Sequence, residues 1–201
     1  EVQKKDIIRT GGAIAGDSIV LTKGIAIEGT TALANDYETN LRDLGASEEI
    51  ITRGKALLKD IGISVLRDAQ IACSESSVNS MHDPTEGGLA TALHELASAS
   101  GLGIAVEEGS IPVLPECKSV TDLLGLDPLG LLASGALLIT LHSSEVPKLL
   151  RALQSEGITG WEIGQVLDQE EGSIMIGNKG EVDLPVFSRD ELARYISSLQ
   201  R

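Results

Sequence analysis

The sequence predicts a single α/β (α+β) domain with a mixed β-sheet and helices packed on its faces. Three observations lead there. Apolar segments at strand length alternate irregularly with amphipathic segments at helical spacing, so both crossovers and hairpins are needed. The chain is 201 residues long, enough for one sizeable core. No Pro/Gly/Ser-rich linker interrupts it. At 42% hydrophobic and 23% charged residues the composition is that of an ordinary globular protein, and with only 2% aromatics the core must be built from Leu, Ile, Val and Ala.

In chain order, Glu1–Ala15 is polar and then rich in small residues, a candidate linker. Asp17–Lys23 (DSIVLTK) reads as a strand and Ile27–Asn40 as a helix. Ser47 N-caps a clearer helix to Asp60, with Ile50, Ile51, Leu57, Leu58 and Ile61 on one face and Gly62 as its stop. The stretch Ile63–Ser80 holds a short strand, a turn and a helical part in no clear order. Leu89, Ala92, Leu93, Leu96 and Ala97 form an amphipathic stripe to Ser100. Ile104–Glu107 is a short strand, and Glu116–Leu124 is a helix stopped by Gly125. Pro128 can start another short helix. Ala136–Leu141 (ALLITL) is almost wholly apolar, hence a strand buried on both faces. Ser144–Ser155 is a helix. Trp161–Leu167 and Ser173–Ile176 read as a strand pair around Glu171-Gly172. Ser188 and Glu191 form a capping box for a last helix to about Leu199.

The balance of 16 basic against 30 acidic residues, net −14, argues against a nucleic-acid partner, which needs clustered Lys and Arg. No apolar run reaches the roughly 18–20 residues that span a bilayer, and no signal peptide is visible, so the chain reads as cytoplasmic. Cys73 and Cys117 lie in no CxxC, and no His/Cys spacing predicts a metal site. Both read as reduced, small core thiols.

The densest signal is Met81-His82-Asp83-Pro84-Thr85-Glu86-Gly87-Gly88-Leu89, between a strand and the strongest helix. A helix start leaves backbone N–H groups unpaired and favours negative charge. Gly87 and Gly88 let a ligand approach the backbone. Thr85 can bond a phosphate oxygen or cap the helix. Asp83 can orient a polar group, act as a base, or hold a metal through water. The plain alternative is that Asp83 or Thr85 only caps a helix and the glycines only ease a turn. It is not a Walker loop, which ends in Gly-Lys-Ser/Thr.

Here the sequence resembles a known family. MHDPTEGGLATALHELASASGLGIAVEE, then IPV, then LLGLDPLGLLASGALLI, is similar to the C-terminal domain of the AIR synthase-related superfamily, nearest the hydrogenase expression/formation (carbamoyl dehydratase) branch and its uncharacterised relatives. GDSIVLTKGIAIEGTTALA resembles the family's opening strand and helix, and GWEIGQV its closing strand. The resemblance covers roughly residues 10–170. It implies an ATP-dependent enzyme that activates an amide or carbamoyl oxygen or transfers phosphate to a small molecule. Such chemistry asks for phosphate positioning and charge neutralisation. It implies ATP and Mg²⁺, bound mostly by an N-terminal domain that this chain lacks, and a homodimer in full-length form. The isolated domain is then expected to be inactive. Asp83 and His82 become the candidate catalytic residues. Thr85, Gly87, Gly88, Lys23 and Glu28 become the candidate cofactor-binding residues, with a phosphate-bearing or amide substrate.

Each has a bland counterpart. Lys23 can be a solvated strand-end lysine, Glu28 a helix-start charge, His82 a partly buried, satisfied histidine. His94 reads as structural and His142 as surface; Asp127-Pro128 is explained by a helix start. A Ser134/His82/Asp83 triad is rejected for want of a nucleophile elbow. Two departures point away from carbamoyl dehydration: the chain ends Leu199-Gln200-Arg201 without a terminal Cys, and Ser134 stands before Gly135 where that branch carries Glu. A non-catalytic binding or interaction module, or a hydrogenase-maturation factor, is the alternative reading.

Overall fold

In the computed structural model, which describes residues 7–200, seven strands form one mixed sheet flanked on both faces by helices. The strands are β1 (Asp17–Thr22), β2 (Val78–His82), β3 (Gly103–Glu107), β4 (Leu138–His142), β5 (Gly160–Leu167), β6 (Ser173–Gly177) and β7 (Gly180–Asp183), in the order β2-β4-β1-β5-β3-β6-β7. Neighbours are antiparallel except β3 and β6, which are parallel.

The period-two alternation of β1 and β4 divides their side chains between two cores. Ile19, Leu21 and Leu138 face helices α1 (Ile27–Asp36), α2 (Glu38–Asp43), α3 (Glu48–Asp60), α5 (Gly88–Ser100), α6 (Pro115–Leu124) and α8 (Glu191–Ser198). Val20, Ile139 and Leu141 face α4 (Leu66–Glu75) and α7 (Val146–Ser155). The predicted double burial of β4 follows from this position. In α5 the stripe Leu89, Leu93 and Leu96 is fully buried, worth about 2 kcal/mol per leucine in removed apolar surface.

Several expectations are corrected. The helix expected over 27–40 breaks at Tyr37, whose ψ of 28° leaves the helical range, and α2 resumes to bury Leu41. Leu58 is exposed rather than on the buried face of α3. The ambiguous 63–80 stretch resolves into α4 and β2. Strands β5 and β6 do not pair with each other, because β3 lies between them. That insertion depends on Gly103: a Cβ there would sit 2.4 Å from the Gly172 carbonyl oxygen and 2.7 Å from that of Asp168. The cap of α8 is Asp190, whose carboxylate accepts the Leu192 N–H; the Ser188 capping box does not form. The candidate linker falls in two parts. Residues 1–6 lie outside the described residues, whereas Thr10–Gly12 packs on β2 and α5, its Thr10 carbonyl accepting from Ser80 Oγ at 2.7 Å.

Candidate functional site

Strand register brings the sequence motifs to one end of the sheet. Leu138 at the start of β4 pairs with Leu21 near the end of β1 and with His82 at the end of β2. The β1–α1 turn, the Asp83–Gly88 loop and the Leu129–Gly135 segment therefore meet there. Backbone bonds tie them together. Ala133 N–H donates to the Thr85 carbonyl at 3.1 Å, and Gly29 N–H donates to the Leu132 carbonyl at 3.0 Å.

The β1–α1 turn is strained and closed inward. Lys23 and Ala26 sit at φ 62° and 58°, the left-handed region that non-glycine residues avoid and that concentrates at functional sites. Lys23 Nζ donates to the Ser64 carbonyl at 2.8 Å and pairs with Asp68 at 3.2 Å. The Lys23 and Asp68 side chains are only 9% and 2% exposed. Thr22 Oγ1 donates to the other Asp68 oxygen at 2.6 Å and accepts the Leu137 N–H at 3.0 Å. The sequence offered Lys23 as a phosphate ligand or a solvated lysine; in the structure its ammonium lies against the buried Asp68 carboxylate. Glu28 is half-buried in the first turn of α1.

The Asp83–Gly88 loop is built the other way. Asp83, Thr85 and Glu86 are exposed, while Pro84, Gly87 and Gly88 are buried. Gly87 and Gly88 adopt φ 83° and 72°, at no cost for glycine. Their close approaches are internal. A Cβ on Gly88 would lie 2.3 Å from the Leu129 carbonyl oxygen, and one on Gly87 would meet Thr91. Gly88 N–H donates to the Thr85 carbonyl at 3.2 Å, and Gly87 N–H donates to Asp190 at 2.7 Å. The exposed polar side chains of the loop are those of Asp83, Thr85 and Glu86.

His82 is held between elements. Its Nε2 donates to Glu95 at 2.7 Å, and its Nδ1 lies 3.4 Å from Thr10 Oγ1. His94 Nε2 donates to the Pro185 carbonyl at 3.2 Å, and His142 is exposed at the end of β4. Asp127 Oδ1 accepts the Leu129 N–H at 2.9 Å, capping the turn that Pro128 starts. Ser134 is partly buried beside Gly135. Cys117 is buried, which pushes its thiol up to about 11, whereas Cys73 is exposed, contrary to its reading as a core residue. Among the described residues no cluster of three His, Cys, Asp or Glu could hold a metal ion. No helix among them is long and apolar enough to cross a membrane.

Sequence reasoning missed Asp68 and Asp190, and read Glu191 only as part of a capping box. Glu191 accepts the Asp127 N–H at 2.9 Å, and its hydrogen bonds from Arg194 hold its carboxyl below its usual value. No local pattern marks their bonds to Thr22, Gly87 and Asp127, which lie 46, 103 and 64 residues away along the chain.

Fold and motif convergence define the class. The family described as AIR synthase related protein, C-terminal domain, matches residues 15–177, and the chain belongs to it. Among its relatives is the carbamoyl dehydratase HypE of Cupriavidus necator, 32% identical over 169 residues, which are 81% of this chain and 43% of that protein. The crystal structure of HypE from E. coli, a hydrogenase maturation protein, superposes with a TM-score of 0.75 at 29% identity, covering 94% of this chain and 55% of that one. A HypE solved in complex with ATP shares the fold, with a TM-score of 0.69 at 24% identity over 96% of this chain and 57% of that one. The chain thus spans about half the length of the relatives it matches.

Proposed function

We propose that this chain is the cleft-closing C-terminal half of an ATP-dependent AIR synthase-like enzyme. In this reading the enzyme activates an amide or carbamoyl oxygen, or transfers phosphate to a small molecule. The observation that carries the reading is the meeting of three motif-bearing segments at one sheet end, with the polar side chains of Asp83, Thr85 and Glu86 exposed there.

The residues fit a nucleotide with magnesium in a limited sense. Magnesium is commonly held by one or two carboxylates together with phosphates and water. Asp83 and Glu86 are carboxylates of that kind, although this chain offers no complete cage of its own among the described residues. When bound, the ion would neutralise phosphate charge. Thr85 can donate to a phosphate oxygen, and Asp83 can orient a substrate N–H or take its proton. His82 is the candidate for relaying a proton through its contact with Glu95. Lys23 contributes by fixing the turn that carries Glu28. The full-length protein is then cytoplasmic and homodimeric, and this half alone is inactive.

A hydrogenase-maturation role is the second reading. It is supported by the HypE relatives, while Ser134 in place of a glutamate weighs against the same dehydration chemistry.

Calorimetric titration of the full-length protein with ATP and magnesium tests the nucleotide reading, comparing wild type with Asp83→Ala and using thermal melts as a folding control. Loss of a charged hydrogen-bonding group should weaken binding about tenfold or more in the folded variant. Unchanged binding and turnover would reduce the loop to a helix start.

A further inference from the structure

Next to the N-terminus of α5, where an anion is favoured, one of the chain's own carboxylates binds the N-cap residue Gly87. Asp190 is 6% exposed and lies between two helix starts. One oxygen accepts the Gly87 N–H at 2.7 Å, and the other accepts the Leu192 N–H at 2.8 Å. A single side chain thereby caps α8 and closes the loop before α5, with charge-assisted bonds of the strong kind.

The segment that delivers Asp190 is anchored along its length. Leu184 N–H donates to the Ser173 carbonyl at 3.0 Å. The Pro185 carbonyl accepts from His94. The Phe187 ring covers Gly130, where a Cβ would lie 2.5 Å from it. Glu191 holds the Asp127 N–H. The Leu129–Gly130 turn beneath this strap is the one that abuts Gly88. The strap therefore contacts both the Asp83–Gly88 loop, at Gly87, and the turn at Gly130.

We propose that Asp190 is a positioning residue for the cleft. Its carboxylate fixes the Asp83–Gly88 loop at its buried Gly87 amide, so that the exposed Asp83, Thr85 and Glu86 are held in one arrangement. This rests on the reading of that loop as a ligand wall. It also changes how that wall works: the Gly87 amide is already saturated by an internal anion, so a phosphate-bearing ligand meets side chains there rather than this backbone N–H.

The test exploits the two roles of the carboxylate. Glycine is a tolerable N-cap, so Asp190→Gly keeps α8 while opening a carboxylate-sized space beside Gly87. Ser also caps well but is too short to serve both amides. In full-length protein, amide exchange at Gly87 should quicken about tenfold in both variants. Leu192 protection should change little in Asp190→Ser, since Ser still caps α8. Millimolar formate, which matches the missing carboxylate, should restore Gly87 protection in Asp190→Gly; chloride should not. ATP–magnesium affinity should fall about fivefold in Asp190→Gly and recover with formate.

Unchanged Gly87 exchange in both variants overturns the proposal. So does an affinity loss that formate leaves untouched while it restores Gly87 protection, since the loop would then be fixed without any gain in binding. A wild type that binds no ATP–magnesium overturns the nucleotide reading alone. Formate-dependent protection of Gly87 then still decides for or against Asp190 as the residue that fixes the loop.

Discussion

The β1–α1 turn and the Asp83–Gly88 loop stand at the same end of the sheet and are built on opposite plans. The first places non-glycine residues at positive φ and turns its polar side chains inward, onto Asp68. The second uses glycines where φ is positive, buries its backbone against the Leu129–Gly130 turn, and leaves Asp83, Thr85 and Glu86 exposed. One is a rigid wall held by a buried charge. The other is a face whose polar atoms are unspent. A motif marks where backbone geometry is fixed; the inventory of used and unused polar groups shows which turn can meet a ligand.

The comparison is broken most directly at Asp68. Removing one partner of a buried ion pair strands the other charge. Asp68→Ala should cost about 4 kcal/mol, measured by urea denaturation, whereas Asp68→Asn should cost less because it still accepts from Thr22. A loss near that of a surface ion pair would mean that Lys23 swings out to water, and the inward reading of this turn would fall.

Gly88→Ala is next. The new Cβ would overlap the Leu129 carbonyl, at 2.3 Å, and the residue would be forced to stay at φ 72°. Left-handed strain and overpacking together should cost about 3 kcal/mol. Thermal melts check it, and a cost under about 1 kcal/mol would show that the Leu129–Gly130 turn yields easily.

Much of this architecture is legible in the sequence, for physical reasons. The patterns of α5 and β4 are local, so their burial follows from short-range sequence. Ser47 is a cap visible on sight, and it accepts the Ile50 N–H at 3.2 Å as such a residue should. The loop Asp83–Gly88 is legible as a helix entrance because Gly-Gly before an apolar stripe has few other uses. What was not legible is set by distance along the chain. Gly87 meets Asp190 across 103 residues, and no spacing rule reaches so far. The insertion of β3 between β5 and β6 turns on Gly103 lying flush against the Gly172 and Asp168 carbonyls, and local strand pattern is silent about which neighbour a strand takes. Lys23 illustrates the same limit: only the fold reveals the aspartate it pairs with, 45 residues along the chain.

Lys23 also sharpens the contrast through backbone strain alone. Lys23→Ala and Lys23→Gly both leave Asp68 without its cation, but only glycine relieves φ 62°. Lys23→Gly should therefore be more stable than Lys23→Ala by about 1 kcal/mol in paired denaturant melts. Equal stabilities would mean that the turn relaxes once the ion pair is gone, and that Asp68 rather than the backbone sustains the strain.

The smallest effect on stability is the most telling for function. Thr85→Ala and Glu86→Ala alter exposed side chains, so each should shift stability by no more than about 0.5 kcal/mol. If the loop is the working face, the same substitutions should weaken ATP–magnesium binding by the full-length protein about fivefold, the loss of one hydrogen bond or ionic contact. Calorimetry and melts on the same samples separate the two quantities. A folded Glu86→Ala protein with undiminished affinity would remove Glu86 from the wall and leave Asp83 to carry the charge there. If both variants bind as wild type does, unspent polar atoms at this end of the sheet are simply solvated, and the contrast between the two turns is one of folding rather than of ligand recognition.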